Sequence, residues 1–171
     1  MITGTTHSFH NILGGTGNNI HDGFASVIVG GVTNIISSAN RSVIVGGQSN
    51  TNGGDYSSVV GGSGNNISTS NTSFIGGGTG NTITGTSPNS SIMGGSGNNI
   101  DSTEKSTVVG GTGNNITNGS TNSFIGGGLN NSVNGYTAEI VGGWGNSLDS
   151  DGWIGSIVGG VENVISGGYG A

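Results

Sequence analysis

The chain has no cysteine, one proline and only two basic residues, Arg41 and Lys105, among its 171. Without cysteine no disulfide can hold the fold, and the redox compartment stays open. Charged residues make up 6% of the chain and the formal net charge is −6. Two cations cannot neutralise a run of phosphates or dock on an anionic bilayer, so neither nucleic acid nor a membrane surface is an expected partner. Apolar runs end after three or four residues, as in Val27-Ile28-Val29, whereas a helix spanning a bilayer needs about 20. No membrane insertion is expected. The opening stretch Met1-Ile2-Thr3-Gly4-Thr5-Thr6-His7 has neither the basic nor the apolar region of a signal peptide. No segment carries a helical period, and the 40 glycines would each cost a helix about 1 kcal/mol.

What the chain does have is a repeat. Low hydrophobicity with abundant Gly, Ser, Thr and Asn often accompanies disorder, but disorder usually comes with high net charge. Here charge is scarce and the apolar residues fall in register. The pattern S-x-[IV]-x-G-G-x-x-N-x-[IV] is seen whole from Ser57 to Ile67. Its first glycine recurs at Gly14, Gly30, Gly46, Gly61, Gly77, Gly94, Gly110, Gly127, Gly142 and Gly159, ten copies spaced 15 to 17 residues apart. A second glycine always follows. Four places after the first stands an asparagine: Asn18, Asn34, Asn50, Asn65, Asn81, Asn98, Asn114, Asn131, Asn146 or Asn163. The column before the pair is Ile12, Ile28, Ile44, Val59, Ile75, Ile92, Val108, Ile125, Ile140 and Ile157. A second apolar column runs from Ile20 and Ile36 to Ile165, with Asn52 its one polar member.

β-Branched Ile and Val favour strands. Alternation puts Ser26, Ile28 and Gly30 on one side of a first strand, and Asn34 and Ile36 on one side of a second. The expected fold class is all-β: a parallel β-roll or solenoid of about ten 16-residue coils with two short strands each. The glycine pair turns the chain between the strands, and a variable loop closes the circuit. At about 4.8 Å per coil the rod is roughly 50 Å long. Like then stacks on like. Ile28 to Ile157 form a core ladder. The Asn column forms a ladder of side-chain amides, or it serves as a left-handed corner. Residues 1–171 read as one repeat domain, with the repeat core at about 10–165, a lead-in at 1–9 and a tail at 166–171.

Each coil buries only two or three aliphatic side chains while ordering some sixteen residues, many of them glycine, whose ordering costs the most entropy. The first strand is also apolar on both faces in many copies, as in Val27/Ile28/Val29, Val43/Ile44/Val45 and Phe74/Ile75. A strand apolar on both faces is buried on both. The column Leu13, Val29, Val45, Val60, Met93, Val109, Val141 and Val158, interrupted by Gly76 and Gly126, is therefore an expected contact between parallel chains of a homo-oligomer.

Runs such as Ser26-Val27-Ile28-Val29-Gly30 and Ser42-Val43-Ile44-Val45-Gly46 resemble the S-V-A-I-G repeats of the YadA-like head of trimeric autotransporter adhesins. Related repeats occur in phage tail fibres and giant-virus surface proteins. The resemblance runs from about His10 to Ile165. It implies a left-handed parallel β-roll, three parallel chains, and a rod exposed on a virion or cell surface. The tile departs from that family in its longer period, its doubled glycine, and Asn and Ile at the family's small Ala positions. The family's coiled-coil stalk, membrane-anchor barrel and signal peptide are not seen in these residues. A bare head or spacer is the expectation: a structural, adhesive fibre component that joins a neighbouring fibre or stalk protein and contacts a host-surface glycan or receptor. A self-assembling extracellular filament is the alternative. An ice-binding solenoid needs a flat threonine array, of which only pieces such as Thr82-Ile83-Thr84 occur.

No enzyme constellation is present, and no catalytic residue, metal or cofactor is expected. His7, His10 and His21 lie near the start, and the acids are scattered with no pair placed for acid–base work. Asp149-Ser150-Asp151-Gly152 lacks the remaining ligands of a calcium loop. Gly14-Gly15-Thr16-Gly17-Asn18-Asn19-Ile20 departs from the calcium-binding nonapeptide, since Asn19 replaces the acid. No G-K-[ST] follows any glycine pair. Tyr136, Trp144, Trp153 and Tyr169 crowd the last quarter of the chain. Trp144 takes the place after the glycine pair, polar at Thr16, Gln48 and Ser63 and expected to face out. Exposed aromatics stack on sugar rings, which makes Tyr136, Trp144 and Trp153 the candidate glycan or receptor contacts. The rival reading is a cap over the open end of the roll.

Overall fold

The computed structural model describes residues 9–149 and 154–167, with the backbone of the strand Ile2–Thr3. His7, Asp151, Trp153 and Tyr169 lie outside the described residues. The strands are two or three residues long and form two sheets. One sheet has 11 strands, from Ile2–Thr3 to Val164–Ile165, and the other has 10, from Asn11–Ile12 to Ser156–Ile157. Each strand pairs in parallel with the strands two places away in sequence, so the chain alternates between sheets and climbs one coil per circuit. Register is tile on tile: Ile28 pairs with Ile44, Ile44 with Val59, and Asn66 with Thr82. The residue after each glycine pair adds a one-residue parallel bridge, from Thr16–Val32 to Trp144–Val161, in nine steps. The fold is a parallel β-solenoid with two short strands per coil, its ten tiles stacked in nine steps.

Two facing columns fill the interior. Ile28, Ile44, Val59, Ile75, Ile92, Val108, Ile125, Ile140 and Ile157 come from one sheet, and Ile20, Ile36, Ile67, Ile83, Ile100, Ile116, Val133 and Leu148 from the other; all are buried. Asn52 occupies a rung of the second column and is fully buried. Its Nδ2 donates to the Ser57 carbonyl (2.9 Å), and its Oδ1 accepts the Gly54 N–H (3.2 Å). A satisfied amide is tolerated where a bare one would not be.

The corners are made differently from the sequence expectation. The second glycine of every pair has positive φ, as Gly31 (φ 92°) and Gly111 (φ 84°) do, whereas among the first glycines only Gly77 (φ 154°) and Gly127 (φ 158°) have it. A Cβ on Gly31 would lie 2.2 Å from the Gly47 carbonyl oxygen, so neighbouring coils meet there backbone to backbone. At Gly30, Gly46, Gly61, Gly94, Gly110 and Gly142, by contrast, a Cβ would meet nothing within 4 Å, and none of the six has positive φ. The Asn column is not left-handed either. The residue before it is, whatever its type: Thr33 (φ 53°), Ser49 (φ 57°), Asn130 (φ 54°) and Glu162 (φ 53°). A third left-handed corner closes the loop at Ala25, Arg41, Tyr56, Thr72, Asn89, Lys105, Asn122 and Thr137. Non-glycine residues hold this conformation only when the surrounding structure imposes it.

Candidate functional site

The inward polar residues are consumed by the fold. Each Asn of the ladder offers its Oδ1 to the backbone N–H of the next Asn. The links run from Asn18–Asn34 to Asn146–Asn163 at 2.9–3.0 Å. Its Nδ2 donates within the coil to the first glycine's carbonyl, as Asn98 does to Gly94 (3.0 Å). It also donates to the next coil's second glycine, as Asn98 does to Gly111 (3.1 Å). One amide thus ties the turn of its own coil to the coil above. The contact is amide to backbone throughout; direct amide-to-amide contacts, such as Asn50 Nδ2 to Asn34 Oδ1 (3.1 Å), supplement it.

A second polar ladder stands opposite, and the sequence reading gave it no role. Ser26, Ser42, Ser57, Ser73, Ser90, Ser106 and Ser123 are all buried. The Ser106 hydroxyl accepts the Ser123 N–H (3.3 Å) and donates to the Ser120 carbonyl (2.8 Å); Ser57 does the same toward Ser73 N–H (3.0 Å) and Ser70 (3.0 Å). The sequence signal is the serine that opens the tile in seven copies. His10 takes this place in the first copy, and its two ring nitrogens are shielded without a hydrogen-bond partner among the described residues.

Recognition chemistry is therefore left to the outward columns. Trp144 is 47% exposed and Tyr136 46%. They do not share a column. Trp144 sits in the bridge column between Leu129 and Val161, both also exposed, whereas Tyr136 lies in the loop before the strand Glu139–Ile140. Since Val161 pairs on its far side, Trp144 is not an end cap. Leu13, Val29, Val45, Val60, Met93, Val109, Val141 and Val158 are exposed along one column. It runs beside the open first glycines. The Asp149 carboxylate accepts the Ser147 hydroxyl (2.9 Å); the rest of that acidic stretch lies outside the described residues. Among the described residues there is no cavity, no cluster of three metal-ligating side chains, and no helix long and apolar enough to cross a membrane. No family model matches the chain, and no curated protein matches its sequence.

Proposed function

We propose that this chain is a non-catalytic, structural and adhesive fibre protein, a rigid head or spacer built from three parallel copies on a virion or cell surface. One observation carries the reading: the exposed Val/Met column from Leu13 to Val158 beside glycines that no contact within the chain requires. A solvated strand face has no use for a valine on nearly every rung. Removing side chains from the neighbouring column lets another backbone come close. The number three rests on the resemblance to YadA-like heads. Host contact is assigned to Tyr136 and Trp144, which are exposed, and to Trp153, with a surface glycan as the ligand class.

Mass photometry of the purified chain at micromolar concentration tests the assembly. A trimer is expected, and the double variant Val45→Glu/Val60→Glu should fall to monomers. A folded wild-type monomer would refute the assembly. Negative-stain images should show short rods of roughly 50 Å; endless filaments would favour the self-assembling alternative. Whole-cell or glycan-array binding lost in Trp144→Ala and Trp153→Ala, with melting unchanged, supports the adhesive role.

A further inference from the structure

One cluster of surface side chains takes no part in any ladder. At the loop corner preceding the serine column, successive coils carry Phe9, Arg41 and Tyr56, with Phe24 one place before the corner residue Ala25 in the coil between Phe9 and Arg41. The Phe9 and Phe24 rings meet edge to face, with centroids 5.9 Å apart. The Arg41 guanidinium carbon lies 5.7 Å from the Phe24 ring centroid and 5.3 Å from that of Tyr56. Arg41 also donates from Nη1 to the Tyr56 hydroxyl. The backbone fixes the arrangement: Arg41 N–H donates to the Phe24 carbonyl (2.7 Å), and Tyr56 N–H to that of Asn40 (2.8 Å). Arg41 and Tyr56 are left-handed (φ 53° and 56°), like Thr72, Asn89 and Lys105 in the same place. The fold imposes the corner, so the strip is held in register coil by coil. Phe9 is 76% exposed, Tyr56 56% and Phe24 38%, and Arg41 is exposed as well.

The chain itself makes little use of what the strip presents. Arg41 is the only arginine, and the Tyr56 hydroxyl is its side chain's only polar partner among the described residues. A guanidinium has five N–H donors, so most of them are open. The adjacent acid is engaged elsewhere: Asp55 Oδ1 accepts from the Asn40 N–H (2.7 Å) and Nδ2 (3.0 Å). A guanidinium held against aromatic rings keeps its edge free for bidentate contact with a carboxylate. The exposed ring faces suit the apolar face of a pyranose. With no cavity among the described residues, there is no socket for the side-chain anchors of a peptide. Elsewhere the net charge of −6 repels anions, so a single preorganised cation is a selective spot.

We propose that the Phe9–Phe24–Arg41–Tyr56 strip binds a carboxylated sugar, a uronic or sialic acid residue, with its carboxylate on Arg41 and its ring stacked on the neighbouring aromatics. The site is separate from Trp144 and does not depend on the assembly proposed above. Saturation-transfer NMR titration of the full chain tests it, with methyl glucuronoside and the methyl glycoside of N-acetylneuraminic acid against methyl glucoside. One of the two acidic sugars should bind with a Kd on the order of millimolar, as befits one ring on an open surface. The neutral sugar should bind at least about tenfold more weakly, as should the acidic one to Arg41→Gln, for the loss of charge-assisted hydrogen bonds. Arg41→Lys should keep part of the affinity, Phe24→Leu should weaken it, and all three variants should keep the wild-type mass and melting temperature. Equal binding of the neutral sugar, undiminished binding by Arg41→Gln, or binding of hexaglutamate in place of both acidic sugars would overturn the assignment. So would the absence of any binding, or a loss of oligomer in Arg41→Gln.

Discussion

Replacing Asn98 by alanine isolates the mechanical role of the Asn ladder. Asn98 is fully buried. Its Oδ1 accepts the Asn114 N–H (3.0 Å), and its Nδ2 serves the carbonyls of Gly94 (3.0 Å) and Gly111 (3.1 Å). Gly111 retains the Ser96 N–H (2.9 Å) after truncation, but the Asn114 N–H and the Gly94 carbonyl lose their side-chain partner. Two stranded polar groups at about 1–3 kcal/mol each put the loss at about 2–6 kcal/mol. At about 2–4 °C per kcal/mol for a chain of this size, the melting temperature should fall by roughly 5–20 °C. The control is Asn99→Ala, one residue on, where a half-buried, outward amide donates to Asn115 Oδ1 (2.8 Å); it should cost no more than about 1 kcal/mol. Thermal unfolding by circular dichroism at fixed protein concentration measures both. Hydrogen exchange adds a spatial readout. Coils in a solenoid touch only their neighbours, so amides around Asn81 and Asn114 should lose protection while those around Ile28 keep it. If Asn98→Ala melts within about 1 °C of wild type, or if Asn99→Ala costs as much, the ladder does not hold the coils together and the reasoning fails.

The same accounting predicts pH dependence for Asn98→Asp. A buried carboxylate facing the Gly94 and Gly111 carbonyls favours its neutral form, so its folded pKa is raised above the unfolded one. The added penalty is absent below about pH 4 and grows as pH rises, so Asn98→Asp should trail Asn98→Ala at pH 7 and approach it in acid melts. The two glycines of one pair should separate cleanly. Gly111→Ala places a Cβ 2.2 Å from the Gly128 carbonyl oxygen at a left-handed corner and should cost at least about 3 kcal/mol. Gly110→Ala meets nothing within 4 Å, so it should spare the single-chain fold and weaken the proposed subunit contact, read as a shift toward monomers by mass photometry. In the serine ladder, Ser106→Ala strands the Ser123 N–H and should lose about 1–3 kcal/mol. Ala138→Ser restores a missing rung that can accept the Gly155 N–H, and urea unfolding should find it neutral or stabilising by up to about 1 kcal/mol.

The parts of the fold legible in the sequence are those where stacking puts like on like. Isoleucine or valine at one offset and asparagine at another mark which side chains face inward, because an aliphatic ladder needs an aliphatic residue on nearly every rung and the amide ladder has an asparagine on all ten. The corners were less legible because backbone conformation there does not follow residue type. Ala25, Arg41, Tyr56 and Thr72 share one left-handed φ, imposed by the coils on either side. Likewise Gly30 and Gly31 look alike in sequence, yet only Gly31 has a conformation and a close backbone neighbour that a side chain could not accept. Serine opens seven of the ten copies of the tile, but serine is equally at home in solvent. Its burial follows from the corner before it, which no residue signature announces. The strip at Phe9, Phe24, Arg41 and Tyr56 keeps the coil period, but Phe24 stands one place off the offset of the other three.

The interior arrangement also locates recognition. Every rung of the Asn ladder spends its amide on backbone groups, and the one polar side chain in the Ile columns, Asn52, is satisfied by the Ser57 carbonyl and the Gly54 N–H, so the repeated part of the tile has nothing left to offer a ligand. A coil contacts only its neighbours, so an outward substitution is a local matter that leaves the ladders intact. Outward columns can therefore specialise coil by coil, and they do. The corner column is aromatic and cationic from Phe9 to Tyr56, then loses its aromatic rings at Thr72, Asn89, Lys105 and Asn122. The bridge column is mostly polar from Thr16 to Thr112, then apolar at Leu129, Trp144 and Val161. The two stretches lie on different columns and different coils, so the rod presents unlike chemistry along its length. Such an asymmetry fits the fibre role proposed above, with a partner held at one level and a surface met at another. It also makes the two binding tests independent: Arg41→Gln should leave ligands of Trp144 untouched, and Trp144→Ala should leave the carboxylated sugar bound. Joint loss in either variant would mean that one distributed surface is at work, and the separation argued from the columns would be wrong.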